Sequence, residues 1–157
     1  MSDFQHIFYS LDPAQVAKER DGVPFKDFPL LELVAEFGFA KVILLEKEAG
    51  GSYVYLPKVD LLGFILGLEQ MVREIKSTPG KEWHLPNMYQ LYSLKGRLEK
   101  EELILVDEYS GSEVRFKLSY FRSLILQSKK RIWKEFLLLY PEMRGSADFS
   151  KVEDLFY

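Results

Sequence analysis

The sequence predicts an α+β domain, an antiparallel sheet of five or six strands with two long helices, at about 60–77 and 120–140, packed on it and a shorter helix at about 28–37. Three observations carry this expectation. Leu61, Ile65, Leu68, Val72 and Ile75 recur at helical spacing, as do Phe121, Leu124, Ile125, Ile132, Phe136 and Leu139. Two segments, 39–56 and 103–118, are apolar and β-branched, and each is broken by a glycine-containing turn, the pattern of a hairpin. No repeat, low-complexity tract or long Pro/Gly/Ser-rich linker divides the chain, so residues 1–157 are expected to form a single globular domain.

Taken in order, Phe4 to Tyr9 is aromatic and β-branched enough for a first strand, and Leu11 to Asp21, with Pro13 near its start, is a short helix or loop ending at Gly22. From Asp27 onward Leu30, Leu33, Val34 and Phe37 share a helical face, and Gly38 is free to take the left-handed C-terminal cap. Phe39 to Lys47 forms a strand, Ala49-Gly50-Gly51 a turn, and Ser52 to Leu56 the returning strand. Asp60 is placed to cap the next helix, Val59 and Phe64 form a hydrophobic staple, and Thr78-Pro79-Gly80 stops it. Gly63 and Gly67 on that helix permit close packing on a sheet.

Met88 to Leu94 is expected as a further strand. In the second hairpin a two-residue Ser110-Gly111 turn sets Leu105 opposite Phe116 and Leu103 opposite Leu118, with Ile104, Val106, Arg115 and Lys117 on the other side. Ser119 caps the last long helix and Pro141 ends it. The tail, with Phe149, Val152, Glu153 and Phe156, is expected to add a helical turn or two that docks on the body.

Composition bounds the chemistry. With no Cys, thiol nucleophiles, thiolate zinc sites, iron–sulfur ligation and thiol redox switching are all excluded. The two His residues, His6 and His84, leave little for acid/base or metal chemistry beyond carboxylates. A net charge of −3 argues against general nucleic-acid binding. Residues 1–78 carry 8 basic and 12 acidic side chains and residues 79–157 carry 13 and 12, too mild an asymmetry to define a basic half. The start, Met1 to His6, lacks a cationic region followed by an apolar stretch, and no apolar run approaches a membrane span, so a cytoplasmic location is expected.

Each chemically suggestive feature also has a bland reading. His84, between Trp83 and Leu85, is a candidate general base or a solvated side chain, and no nucleophile or orienting carboxylate lies beside it at a recognisable spacing. A metal site joining His6 and His84 lacks any His-x-x-x-His or Glu-x-x-His pattern. Glu32 and Glu36 sit one helical turn apart, opposite the apolar stripe, as a solvated face would. Lys129, Lys130, Arg131 and Lys134 read as another solvated face, with phosphate contact the other possibility. Gly-rich phosphate cradles and the Gly-x-Ser-x-Gly elbow do not occur.

Two clusters point toward protein binding. Glu99, Glu101, Glu102, Asp107, Glu108 and Glu113, with Lys100 among them, crowd one hairpin and would present acid to a basic partner, or form a charged edge that discourages aggregation. Tyr53 and Tyr55 project from one side of a strand, either as a core edge, the first reading, or as an interface, the second.

The hairpin from Glu102 through Ser110-Gly111 to Phe116, running directly into a helix, resembles the small α+β immunity proteins of bacterial polymorphic toxin systems. The likeness is one of layout and covers residues 39–140. It implies a cytoplasmic, non-enzymatic protein that neutralises a cognate toxin by direct binding, often through an acidic surface. The partner expected is therefore another protein, a basic toxin domain among the candidates, with no nucleic acid, membrane, metal or cofactor. A small enzyme using carboxylates or His84, and a structural or regulatory subunit that dimerises, are the alternative readings.

Overall fold

The computed structural model describes residues 7–46, 51–87 and 89–157. Phe4 to His6, Ala49-Gly50 and Met88, on which parts of the expected first strand, first turn and fourth strand fall, lie outside the described residues, and His6 with them. The order is β1 (Ile7–Leu11), α1 (Pro13–Gly22), α2 (Leu30–Leu33), β2 (Phe39–Leu45), β3 (Tyr53–Asp60), α3 (Leu61–Ile75), β4 (Trp83–His84), β5 (Leu94–Glu99), β6 (Glu102–Asp107), β7 (Glu113–Lys117), α4 (Leu118–Leu139), a 3₁₀ turn (Pro141–Gly145) and α5 (Phe149–Asp154).

The fold is α+β, but the strands make two antiparallel sheets, β1-β2-β3 and β4-β5-β6-β7, rather than the single sheet expected. Two local features keep them apart. In β3 Pro57 and Lys58 oppose the single residue Lys41, a bulge that absorbs a proline unable to donate to a ladder. Although β7 lies beside β3, the backbone N–H of Arg115 is donated to the Glu46 carboxylate at 2.9 Å instead of to a strand. Side chains from the inner faces of both sheets, together with α3 and α4, share one hydrophobic core.

Several boundaries differ from the expectation for identifiable reasons. The strand placed at Met88–Leu94 is instead β5, from Leu94 onward. Asn87 organises the preceding loop, accepting from Leu91 N at 3.2 Å and donating to the carbonyl of Tyr92. Gly96 hid the strand; a Cβ there would sit 2.5 Å from the Met71 sulfur, so glycine lets α3 rest on the sheet. The helix expected at 28–37 is helical only over Leu30–Leu33, and its N-terminal N–H groups are capped from far along the chain, with Asp148 accepting from Leu30 at 2.5 Å and Leu31 at 3.1 Å. Gly38 does take a positive φ of 70°, and the Phe136 ring occupies the space a Cβ would need.

Asp60 precedes α3 but makes no side-chain capping bond. Its carboxylate folds into the space left by Gly63, and Gly67 abuts Leu85, so Gly63 accommodates the last residue of β3 and Gly67 a loop side chain. Lys117, not Ser119, occupies the N-cap of α4, where the first N–H goes to the carbonyl of Glu101 at 2.9 Å. In the second hairpin Leu103 faces Phe116 and Leu105 faces Val114, two residues from the expected register. The loop runs from Glu108 to Ser112 and is longer than a two-residue turn. A slip of two leaves every side chain on its expected face.

A clasp joins residues 19–38 to residues 140–148. The buried Glu19 carboxylate accepts from Gly38 N at 2.8 Å and from the Tyr140 hydroxyl at 2.6 Å, and Ser146 donates to the carbonyl of Phe25 at 2.8 Å. Phe25, Phe37, Phe136 and Tyr140 pack edge-on and tilted around it. Burial and the neighbouring Glu19 both push the Tyr140 phenol upward. The C-terminal tail docks as expected, with Trp133 stacked on Phe156 at 4.6 Å and donating to Glu153 at 2.9 Å.

Candidate protein-docking face

The helices cover the inner faces of the sheets, and each outer face has its own chemistry. On β1-β2-β3, alternation sends Ile7, Val42, Leu44, Val54 and Leu56 inward. The residues of opposite parity are also apolar: Phe8 pairs with Ile43, which pairs with Tyr55, and Leu45 pairs with Tyr53 one step along. Phe8 is 40% exposed, Ile43 36%, Tyr55 42% and Tyr53 58%. Directly opposed cross-strand side chains stand close enough to form a continuous surface, so these residues make an uncovered apolar row. Tyr53 and Tyr55 thus belong to the surface, which corrects the core-edge reading.

Cations flank this row. Lys41 is exposed, and the exposed Lys58 holds its ammonium 4.7 Å from the centre of the Phe39 ring. Among the described residues the outward positions of the three strands include Phe8, Ser10, Phe39, Lys41, Ile43, Leu45, Tyr53, Tyr55 and Lys58, with a single carboxylate, Asp60, which ends β3 opposite Phe39 and is turned toward Gly63 of α3. Just beyond β2, Glu46 is engaged by the Arg115 backbone, while the burial that Asp60 suffers raises its pKa to about 6.

The outer face of the second sheet is a lattice of opposite charges. Arg97 faces Ile104, which faces Arg115. Glu99 accepts from Arg97 at 3.0 Å, and Glu113 lies 3.4 Å from Arg115 and 3.9 Å from Arg97. Glu108 lies 3.2 Å from His84 and 4.0 Å from Lys95, and accepts from Ser93 at 2.8 Å. Ile104, opposite both arginines across the ladder, is fully buried.

This geometry places each acidic residue singled out from the sequence. Glu99, Glu108 and Glu113 are matched by cations, and Glu101 and Glu102 lie exposed at the β5–β6 turn, where Glu102 faces Lys117. Asp107 is only 5% exposed. It organises its own loop, accepting from Tyr109 N at 3.2 Å and Ser110 Oγ at 2.6 Å. The acidic hairpin and the tyrosines occupy different sheets.

Other candidates resolve similarly. His84 acquires in space the carboxylate partner that no sequence spacing revealed, Glu108, but the Ser93 hydroxyl donates to that carboxylate rather than to the imidazole. Glu32 and Glu36 are exposed, as expected, and Glu36 accepts from the Tyr89 hydroxyl. Lys129, expected on a solvated face, is buried and bonded to Glu69 on α3 at 2.6 Å. Its position four residues after Ile125 and three before Ile132 set it on the apolar stripe. Arg131 lies over the Tyr9 ring at 5.4 Å, while Lys130 and Lys134 are exposed. Burial, with Glu135 as hydrogen-bond partner, pushes the Tyr9 phenol to about 12. Among the described residues no group of three or more His, Asp or Glu is placed to hold a metal, and no helix is long and apolar enough to cross a membrane.

Sequence reasoning missed Phe8, Lys41, Ile43 and Lys58. The signal was present in 39–45, where apolar residues at both parities are more than a sheet with one covered face requires. No protein-family model, curated protein or solved structure matches the chain.

Proposed function

We propose that the chain is a non-enzymatic protein-binding module of the immunity type, which acts in the cytoplasm by binding and neutralising a toxin and docks it on the outer face of β1-β2-β3. The exposed Phe8–Ile43–Tyr55 row carries this reading, with Tyr53 beside it. Contiguous apolar side chains left uncovered on a domain with a well-filled core mark an interaction surface, and aromatic residues with polar tips are enriched at interface centres. The ion-paired face of β4-β7 supplies a polar rim beside it.

Replacing Ile43 and Tyr55 together by Asp, in cells that co-express the toxin-domain product of a neighbouring gene, is expected to abolish protection. Charge reversal at Glu101, Glu102 and Glu108 is expected to leave most of it. Undiminished protection by the Ile43/Tyr55 variant would sink the docking face. Loss of protection only on reversal of the three glutamates would move the site to the acidic hairpin.

A further inference from the structure

From the charge of this face we infer that its occupant is an acidic, apolar-rich segment of a partner protein, an inference that rests on the docking reading above. Every polar group projecting among the apolar side chains is a donor or can act as one: the ammonium groups of Lys41 and Lys58, the phenols of Tyr53 and Tyr55, and the hydroxyl of Ser10. Among the described residues the one carboxylate at an outward position, Asp60, ends β3 and is turned toward Gly63 of α3. Buried donors need acceptors, and desolvated ammonium groups need opposite charge, so the complementary surface is apolar with Asp, Glu or exposed carbonyl groups at its margin.

Two other occupants fit less well. A second copy, docked about a two-fold axis, would set this cationic patch against itself and bring lysine toward lysine. A single-stranded nucleic acid would find aromatic rings to stack on, but Ile43 stands between Phe8 and Tyr55 and offers no ring. Phosphate chains also need many free cations. Arg97 and Arg115 on the adjoining sheet are already matched by Glu99 and Glu113, which leaves, among the described residues, Lys41 and Lys58 beside the row.

Titrating the full chain, followed by amide chemical shifts, with two synthetic peptides of one Leu/Phe pattern tests the inference; one carries Glu and the other Lys at the intervening positions. The Glu peptide is expected to bind at least about tenfold more tightly, to shift the amides of Phe8, Lys41, Ile43 and Tyr55, and to weaken with added salt. Lys41→Glu/Lys58→Glu should reverse the preference and Lys41→Gln/Lys58→Gln should erase it, with thermal midpoints confirming that both variants are folded. Equal or tighter binding of the Lys peptide overturns the charge assignment while the docking face stands. Silence of these amides toward both peptides overturns the docking face itself. Tighter binding of an oligothymidylate strand, or concentration-dependent dimerisation lost in the Lys41/Lys58 variants, replaces the acidic partner with nucleic acid or with a second copy.

Discussion

The outer faces of the two sheets carry the same kind of central residue in opposite surroundings. Ile104 on β6 is completely buried and stands between Arg97 and Arg115, whose guanidinium groups are matched by Glu99 and Glu113. Ile43 on β2 stands between Phe8 and Tyr55, and all three remain partly open to solvent. Long charged side chains can roof an apolar position and still keep their heads in water, whereas short aromatic rows cannot roof themselves. A sheet face needs no helix to be finished, and by that standard the second face is complete and the first is not.

The comparison is sharpest in stability. Ile104→Ala is expected to cost about 2–5 kcal/mol, the range for a truncated fully buried aliphatic side chain. Ile43→Ala should cost less than about 1 kcal/mol because solvent already reaches it. Denaturant midpoints of the two variants measure the difference, and similar losses would mean that the first face is covered too.

Asp60, where the first sheet runs into α3, gives the next effect. Its pKa is raised from an ordinary 3.8 to about 6 by burial, so between those values the folded chain holds the proton more tightly than the unfolded one. The stabilising contribution is present at acid pH and lost as pH rises through about 6. Asp60→Asn is therefore expected to raise stability at pH 8 by about 1–2 kcal/mol, a figure reduced for partial exposure, and to change almost nothing at about pH 3, below both pKa values. Urea titrations at the two pH values check the sign.

Smaller effects separate the faces by salt and by binding. Glu113→Lys breaks the charge lattice over Ile104 and should cost at most about 1 kcal/mol, a loss that fades as salt approaches about 1 M. Tyr53→Ser should move the thermal midpoint least of all, within about 0.5 kcal/mol, while still weakening partner binding. A large drop in melting temperature for Tyr53→Ser would return that side chain to a structural role.

What was legible in the sequence was periodic. The stripes of α3 and α4 and the alternation of the second hairpin placed those elements within a few residues, because side-chain spacing alone decides which face is buried. What was illegible depended on partners far along the chain. Nothing near Leu30 announces that Asp148 will cap it, and nothing in 94–99 shows that Gly96 makes room for Met71. The acidic cluster looked unbalanced for the same reason: Arg97 and Arg115 flank it in sequence but neutralise it only once β5, β6 and β7 are paired. The docking row was half legible, since Tyr53 and Tyr55 stood out locally while Phe8 and Ile43 joined them only through strand register.

The clasp between residues 19–38 and 140–148 bears on how the chain folds as it is made. Its long-range hydrogen bonds span 117 to 121 residues, so while a ribosome is still synthesising the α4 region, the Glu19 carboxylate lacks its Tyr140 partner and the first N–H groups of α2 have no mate. The early segment must wait, partly ordered, for the last stretch to emerge, and such long-range closure slows the final step of folding. A chain that terminates before Tyr140 would lose its beginning as well as its end.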